Sequence, residues 1–234
     1  MTGGQFSARL GYHAVTMATR PKHAEPRPQP RLYLVTPLVA DANAFTDRLA
    51  AAVAAGDVAA VLLRLEEADE RTLINRVKQL APVVQRREAA LLVDGHAALV
   101  ARAAADGAHL TGIADFSEAL ATLKPDRIAG CGGLETRHDA MVAAEQGADY
   151  VMFGEPDASG HRPAFAAIEE RVAWWAEVFE APCVGFAGAP EEVAPLVAAG
   201  ADFVALGDWV WQASDVAAAV AEAARQMHLP ETAV

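Results

Sequence analysis

Short apolar runs alternate with alanine-rich stretches along almost the whole chain. Eight runs of strand length follow residue 30, namely Arg31–Pro37, Val58–Leu65, Ala89–Asp94, Gly107–Thr111, Arg127–Gly132, Tyr150–Gly154, Pro182–Gly188 and Ala201–Asp208. Between them lie stretches with helical spacing of apolar residues, namely Ala44–Gly56, Glu70–Gln85, Ala97–Asp106, Asp139–Gly147 and Phe165–Phe179. Apolar strands that alternate with helices are typical of a parallel sheet buried on both faces. The pattern therefore predicts an α/β protein of eight strand–helix units.

The helix ends before strands two, four, six and eight each contain a glycine, in the sequences AAG, ADG, QGAD and AAGAD. We interpret these glycines as helix C-caps that lead into the next strand. Their recurrence at even positions favours the alternating layers of a closed (β/α)8 TIM barrel. A doubly wound open sheet is the alternative, but it calls for a glycine-rich dinucleotide loop after strand one, where the sequence reads TPLVAD. We predict a single TIM-barrel domain over residues 31–228.

The two ends of the chain differ in character from the barrel. Residues 1–30 are basic, finish in alternating prolines and contain no apolar segment long enough for a secretory signal. We expect a disordered tail there, with an organellar address as the alternative. Residues 229–234 are expected to form a short C-terminal tail.

Composition narrows the class of protein. The net charge of -12 over 234 residues argues against a nucleic-acid partner, which requires a basic face. No apolar run approaches the roughly 20 residues of a membrane helix, so we expect a soluble protein without a membrane partner. Cys131 and Cys183 fall inside predicted strands, which indicates buried reduced thiols and a cytoplasmic location. Trp174 and Trp175 are adjacent in one helix, and covering both of them favours a homo-oligomer.

The chain has only three lysines, Lys22, Lys78 and Lys124, and none lies in a predicted loop between a strand and the helix that follows it. In a barrel enzyme these strand-to-helix loops form the end that carries the active site. A Schiff-base mechanism therefore has no candidate nucleophile. Any phosphate must be bound by arginines, backbone N–H groups, helix N-termini or a divalent metal ion.

An ordered series of motifs resembles thiamine phosphate synthase and its TenI-type relatives. The series runs LYLVTP, LLRLE, LLVDGHAALVARAAADGAHLTG, GCGG, QGADYVMFGEP, GFAG and GADFVALGD, over about Leu32 to Ala217. The resemblance implies a cytoplasmic barrel enzyme of thiamine biosynthesis, which couples hydroxymethylpyrimidine diphosphate to a thiazole phosphate and releases diphosphate. Its partners would be small phosphorylated or diphosphorylated heterocyclic substrates, with Mg²⁺ as cofactor.

The resemblance also implies the metal site. Asp94, at the end of strand three, matches the first Mg²⁺ ligand of the family, and Asp115 matches the second if one residue is inserted before it. For both aspartates the alternative is a helix N-cap, Asp94 before His96 and Asp115 for a helix over Phe116–Leu123.

Two basic positions of the family motifs are altered. Arg64 matches the arginine of the family's Gln-x-Arg-x-Lys motif, but Leu62 and Glu66 replace its glutamine and lysine. The alternative for Arg64 is an ion pair at the barrel mouth with Glu66 or Asp94. In the loop after strand six, Arg162 is the candidate replacement for a diphosphate-binding lysine.

Other candidates contact substrate through the backbone or a ring. Gly132 or Gly133 takes the place of a small hydroxyl residue after strand five, and Gly188 and Gly207 are expected to bind the thiazole phosphate through N–H groups. Arg137 opens a helix where an anion would meet the positive end of the dipole. Asp208 is expected to turn outward as an N-cap, because a carboxylate close to phosphate is unfavourable. His109 is expected to face the substrate, and a core hydrogen bond is the alternative.

Three functions remain open from the sequence. The first is a synthase, with Arg64 and His109 as catalytic residues and weak activity because the two lysines are missing. The second is a TenI-like isomerase or another lyase, with His109 or His138 as base. The third is a non-catalytic binder of thiamine precursors or phosphate, favoured by Glu66 and Asp208.

Overall fold

The structure of the protein, a computed structural model, describes residues 28–228. The predicted tails lie outside the described residues, apart from residues 28–30. The strands are β1 (Arg31–Val39), β2 (Val58–Leu65), β3 (Ala90–Asp94), β4 (Gly107–Thr111), β5 (Ile128–Gly132), β6 (Tyr150–Phe153), β7 (Cys183–Ala187) and β8 (Phe203–Leu206). The helices are α1 (Ala42–Ala54), α2 (Glu70–Gln85), α3 (Val100–Ala103), α4 (Ile113–Leu123), α5 (Arg137–Glu145), α6 (Phe165–Val178), α7 (Val193–Ala198), α8 (Asp208–Gln212) and α9 (Val216–Gln226).

All eight strands are parallel, and they close into a barrel in sequence order. Closure comes from the pairing of β1 with β8, where Arg31 is in register with Phe203 and Leu34 with Leu206. The predicted TIM barrel is confirmed and the open sheet is excluded. In this architecture the C-terminal ends of the strands share one rim, which we call the mouth.

Apolar side chains form two packed regions, one inside the barrel and one between the strands and the helices. The inner region includes Tyr33, Val35, Leu62, Leu92, Tyr150, Met152, Val184 and Phe186. Strand residues alternate between the two regions, because successive side chains point to opposite faces. Residues such as Leu34, Val61, Leu63 and Leu91 therefore pack under the helices. The barrel is a filled core, and ligands can enter only at its ends.

Of the four helix-end glycines that we predicted as C-caps, two have that role, and Gly56, which follows the C-cap Ala55, does not. Gly147 and Gly200 have φ of 98° and 93°, the left-handed conformation of a capping glycine. Gly107 instead belongs to β4, where a Cβ atom would lie 2.1 Å from the carbonyl oxygen of Ile128. Ala104, with φ of 59°, ends α3 instead. Its early termination explains why the predicted helix Ala97–Asp106 is only a 3₁₀ turn followed by four helical residues.

Two adjacent tryptophans of α6, Trp174 and Trp175, make different contacts. Trp175 is fully buried and donates its Nε1–H to the carbonyl of Ala181 at 2.7 Å. Trp174 is half-buried, and the Arg137 guanidinium lies 4.6 Å from its ring centroid. This chain itself covers part of Trp174, and the homo-oligomer stays a prediction.

Two further sequence predictions concern burial and membrane spans. Cys131 and Cys183 are buried in β5 and β7 and form no disulfide within the described residues. Burial raises the pKa of the Cys131 thiol to about 12, so this thiol stays protonated. Between residues 28 and 228, no helix has the length and apolar character needed to cross a membrane.

Candidate active site

Arg64 lies at the mouth between two carboxylates. Its Nε is 3.8 Å from Oδ2 of Asp94, at the end of β3, and its Nη1 is 3.9 Å from Oδ1 of Asp208, the first residue of α8. Both separations exceed hydrogen-bond length. The backbone of Arg64 is held by the Thr36 hydroxyl, which accepts its N–H at 3.0 Å. Among the described residues nothing accepts a hydrogen bond from the guanidinium, so its donors are available to an anion.

Arg64 forms the ion pair with Asp94 that the sequence left open, and neither aspartate beside it caps a helix. The turn after β3 has His96 as its N-cap, so the N-cap interpretation of Asp94 is wrong. Helix α8 has Gly207 as its N-cap, and Asp208 faces Arg64 instead of turning outward as predicted. The arginine between them offsets the repulsion that we expected between Asp208 and a phosphate.

Asp94 is the carboxylate best placed to hold Mg²⁺. Burial raises its pKa, while the neighbouring Arg64 opposes the rise. The described residues contain no group of three His, Cys, Asp or Glu side chains that could hold a metal ion. Mg²⁺ commonly uses one or two carboxylates, water and substrate phosphates instead of an all-protein cage. Asp94 fits that mode of binding, in which a diphosphate supplies the remaining oxygens.

Asp115 lies in the first turn of α4, where it is exposed. The helix begins at Ile113 with Gly112 as its N-cap, so Asp115 is not the cap that the sequence suggested. No ion pair or hydrogen bond joins its side chain to Asp94 or to any other described residue. Its role as a second metal ligand stays a prediction.

His109 projects into the barrel from β4 and is only 3% exposed. Its Nδ1 lies 3.0 Å from the hydroxyl of Tyr150, which lies 2.8 Å from the hydroxyl of Tyr33. Burial lowers the pKa of His109 to about 4, so the imidazole is neutral at physiological pH. His109 therefore makes the core hydrogen bond, through Nδ1, and its Nε2 lies next to Gly132, so its contact with substrate stays a prediction.

Glu155, the first residue after Gly154 at the end of β6, is a site residue that the sequence did not single out. Its Oε1 accepts a short hydrogen bond from the N–H of Gly133. Burial raises the pKa of this carboxyl to about 7. The available signal was its position, since an acidic residue directly after a barrel strand faces the mouth.

Arg162 has protein partners on three sides. Its Nη1 lies 2.9 and 3.0 Å from the two carboxylate oxygens of Glu192, its Nε donates to the carbonyl of Gly154, and its Nη2 donates to the carbonyl of Phe186. Glu192 also accepts the backbone N–H of Gly188 at 2.7 Å. We call this arrangement the Arg162–Glu192 clasp. It occupies the two groups that the sequence assigned to diphosphate and to thiazole phosphate.

Two other predicted contacts also have protein partners. Arg137 pairs with Glu170 of α6 at 2.8 Å and lies over Trp174. The N–H of Gly207 donates to the carbonyl of Ala187 at 3.1 Å. The structure therefore gathers Arg64, Asp94, His109 and Gly132 at the mouth, and it directs Arg137 elsewhere.

Comparison with known proteins agrees with the barrel and its motifs. The sequence model of a family described as thiamine monophosphate synthase matches residues 32–209. The thiamine-phosphate synthase of Rhodospirillum centenum is 44% identical over 202 residues, which cover 84% of this chain and 97% of that protein. The enzyme of Hyphomonas neptunium is 38% identical over 210 residues, covering 86% of this chain and 94% of that protein. The chain belongs to the thiamine monophosphate synthase family.

A solved structure of this fold gives the same architecture. Thiamine phosphate pyrophosphorylase from Pyrococcus furiosus superposes with a TM-score of 0.71 at 21% identity, over 85% of this chain and 96% of that chain. At this level of identity the likeness concerns the fold alone. Membership in the thiamine monophosphate synthase family confirms the resemblance carried by the ordered motifs.

The altered basic motif of this thiamine monophosphate synthase family member divides between core and surface. Leu62, in place of the glutamine, is buried inside the barrel, whereas Glu66, in place of the lysine, is exposed just beyond β2. The lost glutamine therefore removes a polar group from the interior. The lost lysine removes a positive charge from the mouth, close to Arg64.

The raised pKa of Glu155 has a measurable consequence for stability. The folded protein binds this proton more tightly than the unfolded chain, whose carboxyl has a pKa near 4.5. The contribution of Glu155 to stability is therefore fully present below pH 4.5 and declines as the pH rises to about 7. We expect the free energy of unfolding of the wild type, relative to Glu155→Gln, to fall by about 2 to 3 kcal/mol across that interval.

Urea unfolding of both proteins at stepped pH measures this difference. His109 titrates in the same interval, but it is present in both proteins and its contribution cancels. Parallel curves for the two proteins would show that the Glu155 carboxyl is not desolvated.

Proposed function

We propose that the protein is a thiamine-phosphate synthase, which joins hydroxymethylpyrimidine diphosphate to thiazole phosphate and releases diphosphate. The observation that carries the proposal is the pairing of Arg64 with Asp94 at the mouth of a barrel whose residues 32–209 match the family. These two residues place a guanidinium that donates no hydrogen bond to the described residues beside a carboxylate. A diphosphate and its counter-ion require this combination.

The chemistry asks for stabilisation of a leaving group. The bond between the pyrimidine methylene carbon and the diphosphate oxygen breaks, and its electron pair leaves with the diphosphate. The pyrimidine ring stabilises the resulting cation until the thiazole nitrogen donates its lone pair to form the new C–N bond. No proton transfer is needed, so the protein has to neutralise charge and align the two rings.

Arg64 would act on the departing diphosphate. Its guanidinium is one-third exposed and has no hydrogen-bond acceptor among the described residues, so it needs no rearrangement to receive phosphate oxygens. Mg²⁺, when bound, would add positive charge to the same group, and Asp94 is the residue that would hold it. Gly132 lies against His109 and Glu155, and a side chain at this position would collide with both of them.

The remaining predicted contacts are weaker proposals. Gly188 and Arg162 would bind phosphate only if the Arg162–Glu192 clasp opened, because Glu192 engages both of them. The N–H of Gly207 is bonded within the barrel. A cytoplasmic location likewise stays a prediction, which rests on the two buried thiols.

A non-catalytic binder is the second candidate, and one observation favours it. Asp208 stands beside Arg64 and lowers the positive potential at the mouth, as does the nearby Glu66. A binder would retain affinity for the two substrates but release no diphosphate. For the isomerase, His138 is exposed on α5, so His109 would have to serve as the base.

The deciding assay mixes the purified protein with hydroxymethylpyrimidine diphosphate, thiazole phosphate and Mg²⁺, and follows diphosphate release and thiamine phosphate formation. Calorimetric titration of each ligand, with and without Mg²⁺, accompanies it. Binding of both ligands without any release of diphosphate would contradict the synthase proposal and establish the binder.

Restoring the missing charge at position 66 is expected to raise turnover. Glu66 is exposed beyond β2, so Glu66→Lys changes the potential at the mouth without disturbing the core. Exchange of one carboxylate for an ammonium should raise kcat by about tenfold, by analogy with other donors in preorganised sites. Steady-state kinetics with Glu67→Lys, the adjacent exposed position, as control would measure it. An equal gain in both variants would point to a general effect of net charge.

A further inference from the structure

His109 and Glu155 face a common space above Gly132. A Cβ atom on Gly132 would lie 2.2 Å from Oε1 of Glu155 and 2.6 Å from Nε2 of His109. The two side chains form no hydrogen bond or ion pair with each other. Both atoms lie close to this one point, so they are neighbours and one edge of a ligand can contact both.

The hydrogen-bond chain behind His109 determines what that residue presents. The Tyr33 hydroxyl has Tyr150 as its only partner among the described residues, so its proton must go to the oxygen of Tyr150. Tyr150 then donates its own proton to Nδ1 of His109. The opposite order would leave the buried Tyr33 O–H without an acceptor, which is costly. The neutral imidazole therefore carries its proton on Nε2 and offers a donor to the mouth.

Glu155 presents the complementary group. The N–H of Gly133 donates to its Oε1, and no side chain among the described residues donates to this carboxylate. The charge of Arg171 lowers the pKa of this carboxyl, but the Arg171 guanidinium donates its hydrogen bonds to the carbonyls of Leu134 and Glu135. Above pH 7 the ionised Glu155 therefore offers only acceptors, next to the donor of His109.

We propose that Glu155 determines specificity for the aminopyrimidine ring, by accepting a hydrogen bond from its amino group while His109 Nε2–H donates to the adjacent ring nitrogen. This inference rests on the proposed function. The substrate pyrimidine carries an amino group beside a ring nitrogen, so its edge presents a donor next to an acceptor. An acceptor next to a donor is the matching pair on the protein.

The same geometry rejects the oxo analogue. A pyrimidin-4-one presents a ring N–H and a carbonyl oxygen, so the donor of His109 would face a donor and the carboxylate of Glu155 would face an acceptor. Sites that hydrogen-bond one substrate discriminate strongly against an analogue that leaves their polar groups unpaired. Glu155→Gln should weaken the preference for the aminopyrimidine over the oxo analogue, because a carboxamide both donates and accepts hydrogen bonds.

The test compares kcat/KM for the aminopyrimidine diphosphate and for its 4-oxo analogue at about pH 8.5, where Glu155 is ionised, in the wild type, in Glu155→Gln and in the exposed control Glu180→Gln. We expect Glu155→Gln to narrow the preference for the amino substrate by about tenfold or more, and Glu180→Gln to leave it unchanged. Calorimetry with thiazole phosphate establishes that the variant is folded. An unchanged preference in folded Glu155→Gln would overturn the inference.

Failure of the proposed synthase function can be distinguished from failure of the inference about Glu155. If the wild type releases no diphosphate from any substrate pair, the synthase proposal fails, and calorimetric affinities for the two pyrimidine diphosphates replace kcat/KM. A tenfold narrowing of relative affinity in Glu155→Gln would then support the role of Glu155, and equal discrimination by both proteins would overturn it.

Discussion

Replacing Arg64 with alanine is expected to lower kcat/KM for the coupling reaction by about 10²- to 10³-fold. In the proposed mechanism the guanidinium donates to the departing diphosphate, and its removal also leaves Asp94 and Asp208 at the mouth without a counter-charge. Like charges within a few ångströms of a phosphate oppose its binding. The loss should therefore exceed that of a simple hydrogen-bond deletion.

Steady-state kinetics of Arg64→Ala against Arg102→Ala would measure this effect. Arg102 pairs with Glu70 on the outer surface, so its removal changes net charge equally but leaves the mouth intact. The double variant Arg64→Ala/Asp208→Asn should recover part of the lost rate, since it removes one of the two carboxylates. Robust turnover in Arg64→Ala would show that the Asp94 pair is merely structural.

The second large effect concerns Asp94. Asp94→Asn keeps the size of the side chain but removes the charge that would hold Mg²⁺, so we expect the Mg²⁺-dependent part of diphosphate binding to disappear. Calorimetric titration with inorganic diphosphate, with and without Mg²⁺, measures that part directly. Asp126→Asn, an exposed position near the opposite end of the barrel, is the matched control. Unchanged Mg²⁺ dependence in Asp94→Asn would place the metal elsewhere.

The strands were predictable because their signal is local. The bounds of β2 and β4 agree with the sequence prediction at both ends, since each is a mainly apolar run flanked by polar or turn residues. The helix after β3 was predicted too long, because nothing in the sequence announces the left-handed conformation of Ala104. Alanine rarely adopts it, so the packing around the chain must select it.

The site was harder to predict, because its decisive contacts join residues far apart in sequence. Asp94 and Arg64 could be named from their positions at strand ends. The destination of Arg137 depends on Glu170 and Trp174 in the next helix, and the role of Glu155 depends on how Gly132 and His109 meet inside the barrel. Such pairings follow from the closed fold and leave no periodic trace in the sequence.

The Arg162–Glu192 clasp links the evolution of two loops, because a substitution in one loop affects the other. The pair is largely shielded from water, and a Cβ atom at Gly188 would lie 2.1 Å from the Arg162 guanidinium. Loss of either charge alone would leave the other charge unpaired in poorly solvated surroundings, which destabilises the fold. The residues at positions 162, 188 and 192 are therefore expected to change together. Related chains should either keep all three residues or have substitutions at all three.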